Sequence, residues 1–331
     1  MTITVLYPDV DFTGDPDIER SVFGNAAQLH IFRARRAEQV ADALWQGCDA
    51  IVCYHDLPID GAVLDRLGRC RLVVRAAVGF DNIDLAACAA KGIVVCNTPD
   101  YGTTDVADHA IALMLAVTRG IVAYNDALRA DPVKGWSYLK APAIRRLGRQ
   151  SFGVIGLGRI GTAAALRAKA FGMDVVFYDP YRPGGAELAL GIRRADTVEE
   201  LLRQADVVSL HAPLTDETRA MIDRAALACM KPAAILINTA RGPIVDTAAL
   251  LEALQAGRIA AAALDVLPTE PPQDDPLVTA WRNGDPALRD RLVLSPHAAF
   301  YSPDSYVDLR RKSAETVLAY FSNGIVRNRV N

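Results

Sequence analysis

The feature that most constrains this chain is an apolar run, Ser151–Ile155, that ends directly in Gly156-Leu157-Gly158-Arg159-Ile160-Gly161. A strand that stops on such a turn and continues into a helix is one arm of a β-α-β unit, and the parallel sheet it belongs to needs helices on both faces. The remainder of the 331 residues follows the same alternation of short apolar runs and helical patterns. In the first third the candidate strands are Thr2–Tyr7, Leu29–Phe32, Ala50–Tyr54, Leu72–Ala77 and Ile93–Cys96, with helix-like segments at Ala37–Gln46 and Asp60–Leu67. A long amphipathic helix follows, capped by Thr103 or Thr104, with Val106, Ala110, Leu113, Met114 and Val117 in helical spacing before Gly120. Beyond the irregular stretch Asp131–Gly148, further strands are expected at Ser151–Ile155, Asp174–Tyr178, Val207–His211, Ala234–Asn238, Ala261–Val266 and Leu292–Ser295. A last helix is expected over Ser305–Asn323. The pattern predicts an α/β protein of two doubly wound parallel-sheet domains with a crevice between them.

Composition narrows the function classes. A 51% hydrophobic chain is not disordered, and a net charge of -3 leaves no basic stripe for nucleic acid. No run reaches the ~18 uninterrupted apolar residues of a membrane span, and Met1–Tyr7 lacks the charge and apolar pattern of a signal peptide. Cys48, Cys53, Cys70, Cys88, Cys96 and Cys229 form no C-x-x-C, which reads as free thiols in a reducing compartment and places the protein in the cytoplasm. No Cys, His and carboxylate spacing suggests a metal site.

The glycine turn has the context of a dinucleotide fingerprint. Gly156 allows a tight turn, Gly158 lets the backbone approach a pyrophosphate, and the helix that opens at Arg159, Ile160 and Gly161 offers unpaired N–H groups to anionic oxygens. Thr162 to Ala165 are small enough for close packing on a sheet. Asp179, at the end of the next strand, would accept hydrogen bonds from ribose hydroxyls and repel a 2′-phosphate, which favours NAD over NADP. Arg182, three residues on, is the one complication.

Three further polar residues follow expected strands. Arg241 comes after Ala234–Asn238, Glu270 lies in the loop after Ala261–Val266, and His297 follows Leu292–Ser295. Ligands of open parallel sheets bind at the carboxyl ends of strands, so the three can share a pocket. A guanidinium can polarise a ketone and grip a neighbouring carboxylate. An imidazole exchanges protons near neutral pH, and a carboxylate beside it fixes its orientation. Together they suit hydride transfer at a carbon bearing oxygen.

On these residues the chain resembles the D-2-hydroxyacid dehydrogenase family, which includes phosphoglycerate dehydrogenase, glyoxylate reductase and the C-terminal-binding protein corepressors. The resemblance spans Gly79-Phe80-Asp81-Asn82-Ile83-Asp84, the Gly156–Gly161 turn, Asn238–Gly242, Ala263–Val266 and Pro296-His297. It implies a Rossmann NAD-binding domain over residues 100–299 and a flavodoxin-like substrate domain from residues 1–99 with 300–331. It implies that Arg241, Glu270 and His297 are catalytic. It further implies that Thr104, His211, Pro213, Thr218, Thr239, Ala240 and Asp265 contact the cofactor, Asp265 at the nicotinamide carboxamide. The backbone of Val78 and Gly79 would hold the substrate carboxylate, and a homodimer through the NAD-binding domain is expected. Tyr54-His55, Leu166–Gly172, Phe177–Tyr181 and Pro296–Ser302 are most similar to the C-terminal-binding protein branch. In that branch an arginine in the place of Arg75 contacts the substrate, and Phe300 stands where a tryptophan is usual. The expected activity is reversible reduction of a small 2-keto acid by NADH. The alternatives are an NAD(H)-sensing interaction module of the corepressor kind and a phosphoglycerate- or glyoxylate-type reductase. Tyr54 would line the substrate pocket, His109 is read as a helix-face packing residue or the holder of a capping bond, and the Trp136 loop as a dimer arm or a pocket cover.

Overall fold

The computed structural model describes residues 2–141 and 143–331. Contacts divide the chain into two units, Met1–Gly102 with Tyr301–Asn331, and Thr103–Phe300.

The first unit is built on buried runs of Val, Ile, Leu and Cys, the residues that fill both faces of a parallel sheet. Its strands are β1 (Ile3–Tyr7), β2 (Ala27–Ile31), β3 (Ala50–Cys53), β4 (Leu72–Arg75) and β5 (Val94–Asn97), in the order β2-β1-β3-β4-β5. That order is the flavodoxin-like one. One face carries Leu6, Ile51, Cys53, Val73 and Val95 into a core with Trp45, Leu57 and Leu64. The helix Pro303–Asn323 belongs to this unit and lies against the helix Asp17–Phe23. Its ends are well specified: Ser302 and Ser305 form a reciprocal cap, Pro303 opens the first turn, and Gly324 closes it with a left-handed φ.

The second unit carries β6 (Ser151–Ile155), β7 (Asp174–Tyr178), β8 (Arg193–Arg194), β9 (Val207–Leu210), β10 (Ile235–Asn238), β11 (Ala261–Leu264) and β12 (Leu292–Leu294). All pairs are parallel, in the order β12-β11-β10-β9-β6-β7-β8, the doubly wound dinucleotide-binding order extended by one strand. Successive residues feed opposite faces: Leu236 joins one core, while Ile235 and Ile237 join the other. The order reverses between β6 and β9, which places the switch point where β6 runs into the glycine turn.

Several expectations are corrected. The helix expected over Ala37–Gln46 is broken into a single 3-10 turn, Ala37–Gln39, and a helix, Asp42–Gly47. Gln39 Oε1 accepts the amides of Arg35 and Arg36, which caps the turn at its start, and Val40 returns to extended backbone and ends it. The segment Asp60–Leu67 is helical only over Gly61–Leu64, with Asp60 as its cap. Most strands stop one or two residues short of their apolar runs. A helix at Ile121–Ala130, which starts from a left-handed Gly120, and the two-residue β8 were not anticipated. Among the described residues, no single helix is long and apolar enough to cross a membrane.

Candidate active site

One row of paired residues defines the site. Tyr178, Ile155, Leu210, Asn238, Leu264 and Leu294 lie side by side across six strands of the second unit, at their carboxyl ends. The next residues in each chain segment are Asp179, Gly156, His211, Thr239, Asp265 and Ser295. Every candidate catalytic or cofactor-contacting residue singled out above in this unit follows that row, save Thr104 on the Thr103–Thr118 helix and those in the Pro213–Thr218 turn. The row brings them to one edge because parallel strands all end there.

The glycine turn fits a dinucleotide. Gly156 has φ +90, and a side chain there would drive a Cβ to 2.6 Å from Ala212 N. A Cβ on Gly161 would lie 2.0 Å from Gly156 O, so the turn and the helix Arg159–Ala170 touch. At Gly158, by contrast, a Cβ would meet nothing within 4 Å. The glycine the fold does not need is thus the one a ligand would. Gly158 caps the helix with no side-chain cap bond, and the space beside its Cα is open. Asp179 accepts from Leu157 N at 2.8 Å and from Tyr181 N at 3.0 Å, so it braces the turn, and a carboxylate keeps lone pairs for further donors. Arg182 Nε donates to Leu157 O at 2.5 Å.

Two buried polar atoms beside the turn lack protein partners, Thr239 Oγ1 and His211 Nδ1. Such groups are costly unless a ligand or water meets them. His211 Nε2 pairs with Ser209 Oγ at 2.9 Å, and burial alone pushes the imidazole down to about 4. Thr218 Oγ1 donates to Pro213 O at 2.7 Å and so closes the Pro213–Thr218 turn. Ala240 N is held by Asn238 Oδ1 at 2.9 Å. Thr104 is exposed at the start of its helix, with Oγ1 on Asp105 at 3.3 Å.

The acid/base pair is formed. His297 Nδ1 lies 2.6 Å from Glu270 Oε2. Glu270 Oε1 accepts from Leu267 N at 2.9 Å, which folds the loop back and aims the second oxygen at the imidazole. Arg241 is held from the adjacent strand end: its carbonyl accepts from Asn238 Nδ2 at 2.9 Å, and its Nη1 donates to Ala240 O at 2.7 Å. The Arg241 turn and the Glu270 loop touch through Gly242, where a Cβ would fall 1.9 Å from Leu267 C. Phe300 meets the His297 ring edge to face, with centroids 6.1 Å apart.

Asp265 plays a part the sequence did not indicate. It is 2% exposed, and its carboxylate accepts from Ser295 Oγ, Ala298 N and Ala299 N at 2.6, 3.0 and 2.9 Å. Its carbonyl accepts His297 N at 2.7 Å. Any carboxamide contact would share oxygens already committed to the His297 turn. His109 likewise does more than pack, since its Nε2 lies 2.9 Å from Ser295 Oγ.

In the first unit Arg75 is 6% exposed, with Nε on Asn82 Oδ1 at 2.9 Å and Nη1 on Ala76 O at 3.1 Å. Asn82 also donates to Tyr54 O and Leu57 O, and Asn97 Nδ2 donates to Val78 O at 2.7 Å. The Val78–Gly79 backbone and Tyr54 are therefore tied into one set of loops. Asp9, missed in the sequence, accepts from Tyr54 N and Leu57 N at 2.8 and 3.1 Å. Burial, opposed by these bonds and by Arg75, raises Asp9 to about 6.

Residues 111–299 match the D-isomer specific 2-hydroxyacid dehydrogenase, NAD binding domain. The chain is 41% identical to a glyoxylate reductase of Korarchaeum cryptofilum, over 86% of this chain and 83% of that one. It is 38% identical to a D-3-phosphoglycerate dehydrogenase of Methanocaldococcus jannaschii over 85% of its own length, but spans only 49% of that relative. Among solved structures, a D-lactate dehydrogenase from Aquifex aeolicus complexed with NAD and lactic acid superposes with a TM-score of 0.82 at 30% identity. That superposition covers 96% of this chain and 95% of the other.

Proposed function

The chain belongs to the D-isomer specific 2-hydroxyacid dehydrogenases, NAD-dependent oxidoreductases acting on CH–OH groups, and from that premise we propose that it reduces a small 2-keto acid with Arg241, Glu270 and His297 as its catalytic set. The observation that carries this reading is the 2.6 Å pair between His297 Nδ1 and Glu270 Oε2 at the same sheet edge as the glycine turn.

Gly156, Gly158, Arg159, Ile160 and Gly161 would hold the pyrophosphate, with Asp179 at the ribose and His211, Pro213, Thr218, Thr239 and Ala240 along the remainder. A bound nicotinamide supplies or accepts the hydride. The chain's own residues manage charge and proton. Glu270, an acceptor only, requires the proton of His297 on Nδ1, so the exchange with the substrate oxygen is assigned to Nε2. Arg241 stabilises the negative charge that develops on that oxygen. Arg75, Tyr54 and the Val78–Gly79 backbone are assigned to the substrate by resemblance, as are Phe300 to the pocket wall and Thr104 to a cofactor phosphate. Asp179 supports NAD over NADP. The placement near the C-terminal-binding protein branch rests on the segment pattern alone, and the complete acid/base pair favours the enzyme over a purely sensing module. Val133, Trp136, Tyr138 and Leu139, each 78–83% exposed, favour a dimer arm. The free thiols suit a cytoplasmic setting.

The test follows NADH and NADPH oxidation across a panel of 2-keto acids that includes glyoxylate. Turnover with NADH, by protein eluting at twice its 35.7 kDa chain mass, is expected. Protein that binds NADH yet turns over no acid would sink the enzymatic reading.

A further inference from the structure

His109 sits on the helix Thr103–Thr118, well away in sequence from the strand-end loops, yet its ring reaches the turn that carries His297. Its Nε2 lies 2.9 Å from Ser295 Oγ and 3.5 Å from Asp265 Oδ1. Ser295 has one hydroxyl proton, and it goes to Asp265 Oδ1 at 2.6 Å. The serine therefore meets the imidazole as an acceptor, and Nε2 of His109 carries the hydrogen. The result is a directed chain: His109 Nε2–H to Ser295 Oγ, and Ser295 Oγ–H to Asp265.

Asp265 is the hub of the next turn. Its carboxylate holds Ala298 N and Ala299 N while its carbonyl holds His297 N. These bonds bracket a residue at φ +52, where side-chain-bearing residues rarely rest. A buried carboxylate keeps one orientation only if its donors do. The serine hydroxyl can rotate, and the hydrogen from His109 joins the serine's own bond to Asp265 in fixing its rotor.

We propose that His109 is a positioning residue for the acid/base histidine, acting through Ser295 and Asp265 to hold the turn that presents His297 to Glu270. The proposal rests on His297 being the acid/base of the reading above. It adds a residue outside the strand-end loops, joined to the turn through Ser295 and Asp265.

The experiment compares His109→Leu, which removes the donor, with His109→Gln, whose side-chain amide can restore it. The first readout needs no substrate. The proton between His297 Nδ1 and Glu270 should give a far-downfield resonance, assigned by its loss in His297→Asn. It should broaden or vanish in His109→Leu and return in His109→Gln. The second readout is kcat with NADH and glyoxylate, expected to fall about tenfold in His109→Leu, the rate equivalent of one lost hydrogen bond, and to recover in His109→Gln. A resonance unchanged in His109→Leu, or equally lost in both variants, would overturn the proposal. A wild-type protein that shows the resonance and its response but no turnover would leave the positioning intact and remove the dehydrogenase reading instead.

Discussion

His297 occupies a backbone conformation worth about 1–3 kcal/mol of strain, with φ at +52. Glycine would relieve that strain but would remove the ring nitrogen that meets Glu270. The strain is offset by three hydrogen bonds from Asp265, a buried residue whose partners are mostly backbone amides. The chemistry and the geometry at this position are therefore separable by mutation. His297→Asn keeps a side chain that tolerates positive φ and removes the acid/base group. It should lower kcat by about 10²–10⁴-fold while leaving the thermal midpoint and NADH affinity near wild type. Glu270→Gln should lower kcat less, since the amide oxygen still accepts from His297. A thermal midpoint that falls with kcat in His297→Asn would show that the ring is structural.

At the level of elements, the glycines divide into those the fold uses and those a ligand uses. Gly242 belongs to the first kind, with a prospective Cβ 1.9 Å from Leu267 C, and Gly158 to the second, with nothing within 4 Å. Gly158→Ala should leave the melting of the free protein unchanged yet abolish most of the stabilisation that NADH confers. Gly242→Ala should lower the melting temperature and pry the Arg241 turn from the Glu270 loop. Thermal melts with and without NADH separate the two, and an equal loss of stability in both free variants would refute the division. The glycine turn was legible because strand, turn and small-residue helix are contiguous. So was the placement of Arg241, Glu270 and His297, each in a loop that follows an apolar run. The supports were not legible. Asp9, Ser295 and His109 act on residues tens to hundreds of positions away, as in the 186-residue separation of His109 from Ser295, and Asn82 joins nearby Arg75 to Tyr54, 28 positions off. No local pattern encodes such a contact. The helix expected over Ala37–Gln46 is interrupted for a local reason that periodicity ignores, the return of Val40 to extended backbone after a single turn.

Across the whole molecule, each unit holds, among its buried titratable groups, one at the carboxyl ends of its strands whose proton affinity burial shifts, Asp9 and His211, and the two respond to acid in opposite senses. Asp9 in the first unit is raised from 3.8 to about 6 by burial. The folded state binds its proton more tightly than the unfolded chain does. Its contribution to stability is complete below 3.8 and is lost as pH rises through about 6. His211 in the second unit is lowered from 6.5 to about 4, again by burial. Its contribution is present above 6.5 and is lost as pH falls through about 4. Between those limits the first unit gains from acidification while the second loses. Thermal melts from pH 4 to 7 should therefore show Asp9→Asn losing the gain on acidification, and His211→Asn losing the acid sensitivity of the wild type. Melting curves that run parallel for wild type and both variants across this range would show that neither group titrates on unfolding, and would remove the opposition between the units.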